Sequence, residues 1–220
     1  MIETITLKLM HILRRSLKRS VIMDQYWHNQ ALWAKRENKG YIDRQSEFSS
    51  YKYGYANAYF RGHFFNGQYL NASMNSCEVI AVYNALLALN NMTEKYSFPK
   101  LLKQFSYKGM VLKGVFGTSP LSSIEFLKNE GYKVKSLVGK KINRESVMAL
   151  SDKYKTFIFV TFNNGCNPFS QVHTMSVTKK GFNFNTHNDY EGNKSYTSLY
   201  EAMISYNKGK GHPIMVIGIR

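Results

Sequence analysis

The chain has 220 residues, of which 44% are hydrophobic and 15% are aromatic, and its formal net charge is +16. This length and composition indicate a folded domain and exclude an intrinsically disordered chain. No apolar run reaches the roughly 20 residues that a membrane-spanning helix needs. The N-terminal apolar residues are interrupted by Lys8, His11, Arg14 and Arg15, which argues against a secretory signal.

The excess of basic residues favours acidic partners, such as an anionic membrane or an acidic peptide, although basic residues scattered for solubility would give the same total. Nucleic acid is not favoured, because the chain has no ribonucleoprotein motif and its aromatic segment lacks interleaved basic residues. The two cysteines, Cys77 and Cys166, are too few for a disulfide framework. A reduced, cytoplasmic protein is therefore expected, and a single bridge between them stays open.

The N-terminal 36 residues predict a helical extension. Residues 2–22 have the spacing of a basic amphipathic helix, which packs on the main domain or contacts a membrane or a partner. Residues 24–36 predict a second helix. The main domain is expected to span residues 37–220. Its first part, residues 37–70, is rich in aromatic residues among Gly, Asn and Ser, and predicts an extended loop or irregular strands.

The most informative stretch is 71–89, where a polar loop runs into a strongly apolar helix with Cys77 at the junction. Apolar residues cover so much of this helix that it is expected to be central and buried. Asn75 or Ser76 could cap it. The backbone N–H groups and the positive dipole at a helix start favour an anion, so Cys77 is expected to be more acidic and more nucleophilic than a free cysteine.

The remainder alternates between helices and strands and becomes strand-rich toward the C-terminus. Helices are predicted at 99–105, 121–127, 143–154 and 199–206, and strands at 132–138, 156–162, 173–180, 181–188 and 213–219. This order predicts an α+β fold. The glycine-rich loop 109–120 lacks the Lys-Ser/Thr ending of a phosphate loop, and neither cysteine has a partner at metal-ligand spacing, so no cofactor and no metal are expected.

A thiolate nucleophile needs a base and a group that orients the base. His173 opens the first strand of the predicted 173–188 hairpin and Asn188 ends the second, which brings the two together. His187 should face the opposite side of its strand, and Asn185 and Asp189 remain alternative orienting groups. Cys166, in an exposed-looking loop, is a competing nucleophile without a helix start.

A cysteine at the start of a long apolar helix, followed by His and then Asn on adjacent strands, resembles papain-like cysteine peptidases. The nearest resemblance is to the bacterial branch that cuts double-glycine leader peptides from bacteriocins, and it covers residues 71–220. It implies a papain-like fold, in which the nucleophile helix packs on a C-terminal antiparallel sheet. It also implies Cys77 as nucleophile, His173 as general base and acid, Asn188 as orienting residue and Asn71 as oxyanion donor.

The chain departs from that branch at two positions. Asn71 stands six positions before the cysteine, where the branch usually has Gln, and Glu78 follows the cysteine where the branch commonly has Gly. Asn75 and Gln68 are therefore alternative oxyanion donors. Three functions stay open: a cysteine peptidase acting on a peptide or protein, an acyltransferase on the same fold, and an inactive peptide- or membrane-binding module.

Overall fold

A computed structural model describes residues 1–60, 63–89, 94–167 and 171–220. The helices are α1 (Ile2–Ile12), α2 (Arg19–Ala34), α3 (Ala72–Asn75), α4 (Cys77–Ala88), α5 (Phe98–Lys108), α6 (Pro120–Asn129), α7 (Arg144–Lys153) and α8 (Leu199–Ile204). The strands are β1 (Lys52–Phe60), β2 (His63–Asn71), β3 (Val134–Val138), β4 (Thr156–Phe162), β5 (Val172–Lys180), β6 (Asn183–His187), β7 (Ser195–Tyr196) and β8 (His212–Ile219).

The main sheet is antiparallel and has the strand order β3-β8-β4-β5-β6-β7, while β1 and β2 form a separate antiparallel hairpin. The predicted hairpin of the C-terminal region is present, with Ser176 opposite His187 and Lys180 opposite Asn183. Helices and antiparallel sheets combine in one fold, which confirms the α+β class.

Both faces of the main sheet are covered, which explains why β4 is apolar along its whole length. Ile158 and Val160 join the larger core, together with α4 and α5, whereas Phe157 and Phe159 join a second core. The second core includes side chains from α7 and α8. Because successive side chains of a strand point to opposite faces, a strand with apolar cover on both sides needs no polar alternation.

Helix α4 lies at the centre of the molecule, as its composition predicts. Its residues Glu78 to Leu86 are buried, and it packs on β4 and β5. This packing holds Cys77, the first residue of the helix, beside the strand that carries His173. Among the described residues, no helix is both long enough and apolar enough to cross a membrane.

The prediction of one helix over residues 2–22 is wrong. Helix α1 ends at Ile12, and α2 begins at Arg19. Between them the chain is extended, because its backbone bonds to another segment: the Arg15 N–H donates to the Met110 carbonyl, and Arg14 forms a β-bridge with Val111. Such tertiary hydrogen bonds replace those that a continuous helix would make.

The aromatic segment 37–70 is more regular than a loop, since its second half forms the β1–β2 hairpin. Lys52 pairs with Asn71, and Tyr55 pairs with Tyr69. Tyr53 is fully buried, and its hydroxyl bonds to Thr118 at 2.5 Å. Tyr53 thus belongs to the core, and the Tyr55 and Tyr69 rings pack across the two strands with centroids 5.6 Å apart.

Candidate active site

Helix α4 begins without a side-chain cap, so the predicted caps are wrong. Ser76 occupies the cap position, but its hydroxyl donates to the Ala72 carbonyl at 2.6 Å. Asn75 donates from Nδ2 to the carbonyls of Tyr53 and Gly114, at 2.6 and 2.9 Å. The N–H groups of the first turn therefore stay available, and that of Glu78 hydrogen-bonds to the Cys77 thiol.

Cys77 opens onto a cleft of about 520 Å³. The thiol is half-buried, and the cleft also takes in His173 and Asn188. The rest of its lining comes from residues 43–46, 73–74, 171–172 and 189–192. The structure thus brings together the three residues predicted to be the nucleophile, the base and the orienting residue, which are far apart along the chain.

The His173 ring is held by the backbone of Asn188. Its Nε2 lies 2.8 Å from the Asn188 carbonyl oxygen. A carbonyl oxygen can only accept, so Nε2 carries the proton in the neutral ring and Nδ1 keeps a lone pair. The ring stacks on Tyr190 and Tyr206, with centroids 4.4 and 5.8 Å away. His173 therefore has a fixed ring and one basic nitrogen.

Asn188 orients the ring through its main chain, whereas a side-chain contact is the usual expectation. Its backbone is left-handed, with φ of +63°. Its side chain holds other segments: Oδ1 accepts from the Gln45 N–H at 3.0 Å, and Nδ2 donates weakly to the Thr174 carbonyl at 3.5 Å. One residue thus fixes both the base and the neighbouring wall of the cleft.

That wall is residues 41–46, which we name the strap. Besides the bond from Gln45 to Asn188, contacts with Asn84 and His187 attach it. Ile42 exchanges two backbone hydrogen bonds with the Asn84 side chain, at 2.8 and 2.9 Å. Asp43 accepts from Nδ1 of His187 at 2.9 Å, and Tyr41 stacks on that ring at 4.1 Å. His187, which was ranked below His173, therefore has a structural role.

The strap brings Gln45 to the cleft, a residue that no pattern in the sequence indicates. Its Nε2 donates to the Ala72 carbonyl at 3.2 Å, just before the nucleophile helix. Gln45 precedes Cys77 by 32 residues, so no local motif connects them. The available clue was Asn84, a polar residue within a buried apolar helix, which indicates an unseen backbone partner.

The predicted oxyanion donors lie elsewhere. Asn71 is absent from the described lining of the cleft, and its Oδ1 accepts from the Ser73 hydroxyl at 2.6 Å. Asn75 is committed to its two carbonyls, and Gln68 pairs with Ala56 within the β1–β2 hairpin. Asn71, Asn75 and Gln68 are thus not among the described residues that line the cleft.

The loop cysteine, Cys166, is exposed and Cys77 is partly buried, and neither forms a disulfide. Candidate ligand atoms of Cys166, Glu3 and His212 all lie within 4.8 Å of one another. Cys166 thus has possible ligand neighbours in space that spacing along the sequence does not indicate. Glu3 and His212 are already bonded to each other at 3.0 Å, which accounts for their proximity without an ion.

Burial is the largest influence on the pKa values of Cys77 and His173. It raises the pKa of the Cys77 thiol to about 11, with the neighbouring Glu78 carboxylate adding to the rise. It also lowers the pKa of His173 to about 4. The expectation of an acidic thiol is therefore wrong: desolvation outweighs the helix dipole. At neutral pH the site holds a neutral thiol and a neutral imidazole.

Glu78 is an ionisable group directly beside Cys77. It is 1% exposed, and burial raises its pKa to about 7. Its Oε2 accepts from the Thr174 hydroxyl at 2.7 Å, and the same threonine hydrogen-bonds to the Cys77 thiol. The carboxyl, the hydroxyl and the thiol thus form a buried polar chain between α4 and β5.

The protonation of Glu78 is expected to make stability depend on pH. A carboxyl whose pKa rises from 4.5 to about 7 on folding stabilises the protein below pH 4.5, and this contribution is lost as the pH rises through 7. We expect the free energy of unfolding of the wild type, relative to Glu78→Gln, to fall by on the order of 3 kcal/mol between pH 4.5 and 8. Urea titrations of both proteins measure it, and a difference independent of pH would contradict it.

Comparisons with known proteins do not assign the chain to a family. No protein-family profile matches the chain, and no curated protein sequence matches it significantly.

Proposed function

We propose that the protein is a cysteine peptidase with a papain-like arrangement of its site. The supporting observation is that Cys77 and His173 line one cleft, while the hydrogen bond from His173 Nε2 to the Asn188 carbonyl leaves Nδ1 as the basic nitrogen. A base with a fixed ring in the same cleft as a cysteine at a helix start is the arrangement that thiol acylation requires. The cleft has room for a peptide backbone, which an inactive, plugged module would lack.

The proposed reaction starts from the neutral pair. As the thiol sulfur bonds to the substrate carbonyl carbon, its proton passes to Nδ1 of His173. The tetrahedral oxyanion is stabilised by the backbone N–H of Cys77 and by Nε2 of Gln45, which takes the role first given to Asn71. His173 then protonates the leaving amine as the C–N bond breaks, and water hydrolyses the thioester.

The lining of the cleft favours a neutral or basic peptide as substrate. Asp43, Asp189 and Glu191 contribute carboxyl groups, against one guanidinium from Arg44. The acidic substrate first expected from the net charge of +16 would meet this lining with like charge. The charge of the whole chain therefore describes the outer surface better than the cleft.

A peptide library digested with the wild type and with Cys77→Ala tests the activity. We expect new peptide termini with the wild type alone, with basic or neutral side chains beside the cut. The same digestion with an added amine separates hydrolysis from acyl transfer, because a transferase would give amides at the cut. No cleavage and no transfer by the wild type would contradict the proposal.

The part played by Asn188 gives a further prediction. Asn188→Gly keeps both the left-handed backbone and the carbonyl that holds His173, and removes only the side chain. We expect activity within about tenfold of the wild type, with a loss of roughly 1–3 kcal/mol of stability from the broken strap contact. Cleavage rates and urea titrations measure the two effects. A loss of activity of several hundredfold would mean that the side chain orients the base.

A further inference from the structure

Helix α1 is attached to the protein by polar contacts near its two ends and by Ile2 and Leu7, which pack on the larger core. Glu3 accepts from His212 Nε2 at 3.0 Å, and Arg14 donates to Glu125 at 2.8 Å. Leu7 is the hydrophobic residue of this helix that is buried against the core. Contacts of Glu3 and Arg14 thus hold both ends of the segment. They fix the rotation of α1 about its own axis, and therefore which side chains face outward.

The other face of α1 carries an exposed apolar row. Ile5, Leu9 and Ile12 are 55%, 53% and 70% exposed, and their spacing places them along one side of the helix. The loop bonded to the end of α1 adds Leu112, whose N–H donates to the Leu13 carbonyl at 3.1 Å. A single exposed apolar residue needs no explanation, but a row of them on a helix indicates a surface that binds something.

The exposed charged residues of the N-terminal segment itself are basic. Within the first 20 residues they are Lys8, Arg15, Lys18 and Arg19. The acidic residue in that stretch is Glu3, which is buried and paired with His212. The outer face of this segment therefore presents apolar and basic side chains, and the exposed Glu125 carboxylate beside its end is paired with His11 and Arg14.

We propose that α1 binds the surface of an anionic lipid bilayer. The row Ile5–Leu9–Ile12 enters the boundary between headgroups and acyl chains, while Lys8 and Arg15 bind lipid phosphates. The helix lies in the plane of the membrane and does not cross it. The domain then stays at the bilayer surface, whatever reaction its cleft performs.

Sedimentation with vesicles tests the proposal on the full-length chain. Vesicles of phosphatidylcholine mixed with phosphatidylglycerol are compared with vesicles of phosphatidylcholine alone. The apolar variant carries Ile5→Gln, Leu9→Gln and Ile12→Gln, which keeps the charge and the helix propensity. Its matched control changes three exposed apolar residues elsewhere: Met148→Gln, Phe182→Gln and Ile204→Gln.

We expect the wild type and the matched control to bind the anionic vesicles equally and the apolar variant to bind them more than about tenfold more weakly. Lys8→Gln with Arg15→Gln is expected to weaken binding about tenfold or more, against no change for Lys133→Gln with Lys135→Gln. Equal binding by the wild type and the apolar variant would overturn the proposal, as would equal binding to both kinds of vesicle. A wild-type dimer that the apolar variant dissociates, measured by light scattering, would overturn it too.

Discussion

Replacing His173 by alanine is expected to lower the rate of Cys77 acylation by about 10⁴-fold or more. The reason lies in the resting charges. Burial raises the pKa of the thiol to about 11, so very little thiolate exists at neutral pH and the base must remove the proton during attack. Without Nδ1 of His173, no nitrogen base remains among the described residues that line the cleft. Stopped-flow acylation by an activated peptide ester measures the effect.

His28→Ala serves as the control for His173→Ala. His28 lies on the surface and bonds to the Ser50 carbonyl at 2.9 Å, away from the cleft lining. Its replacement is expected to leave the acylation rate unchanged within about twofold. If both alanine variants lose the same small amount of activity, His173 is not the base.

Replacing Gln45 by alanine is expected to lower kcat by about 10²-fold, because the oxyanion would lose one of its donors in a partly desolvated site. Asn71→Ala is the matched control, since it removes a similar amide at the N-cap position of α3, outside the described lining. Its kcat should stay within about threefold of the wild type. The family pattern predicts the opposite order of the two variants.

The readout must separate catalysis from folding. Gln45 also bonds to Ala72 at 3.2 Å, so its loss could loosen the strap. A fall in kcat with unchanged KM and with a melting temperature within a few degrees of the wild type indicates a lost transition-state contact. A variant that instead raises KM alone would place Gln45 in substrate binding and not in the oxyanion hole.

Local patterns allowed the nucleophile helix and the hairpin to be predicted. The helix that begins at Cys77 is apolar on all sides, which is typical of a buried central helix, and alternation with a glycine turn defined β5 and β6. The approach of His173 to Asn188 followed from hairpin topology alone. These features depend on residues that are near one another in sequence, so they can be predicted from hydrophobic periodicity and from turn residues.

The remaining features depend on contacts that sequence does not encode locally. Gln45 reaches the cleft only because Asn84 and His187 hold the strap. The predicted helix over residues 2–22 gave way to backbone bonds with residues 110–112. The pKa of Cys77 could not be inferred from its helix position, because the size of the desolvation depends on what the fold packs around it.

The most direct test of the account is covalent labelling with a panel of peptidyl vinyl sulfones, followed by mass mapping of the adduct. We expect one equivalent bound to Cys77 in the wild type, and labelling slowed by orders of magnitude in His173→Ala. The exposed Cys166 should stay unmodified at stoichiometric reagent, because it lies outside the described lining of the cleft and its neighbour His212 is bonded to Glu3. An adduct on Cys166, or equal labelling of Cys77 in both proteins, would contradict the account.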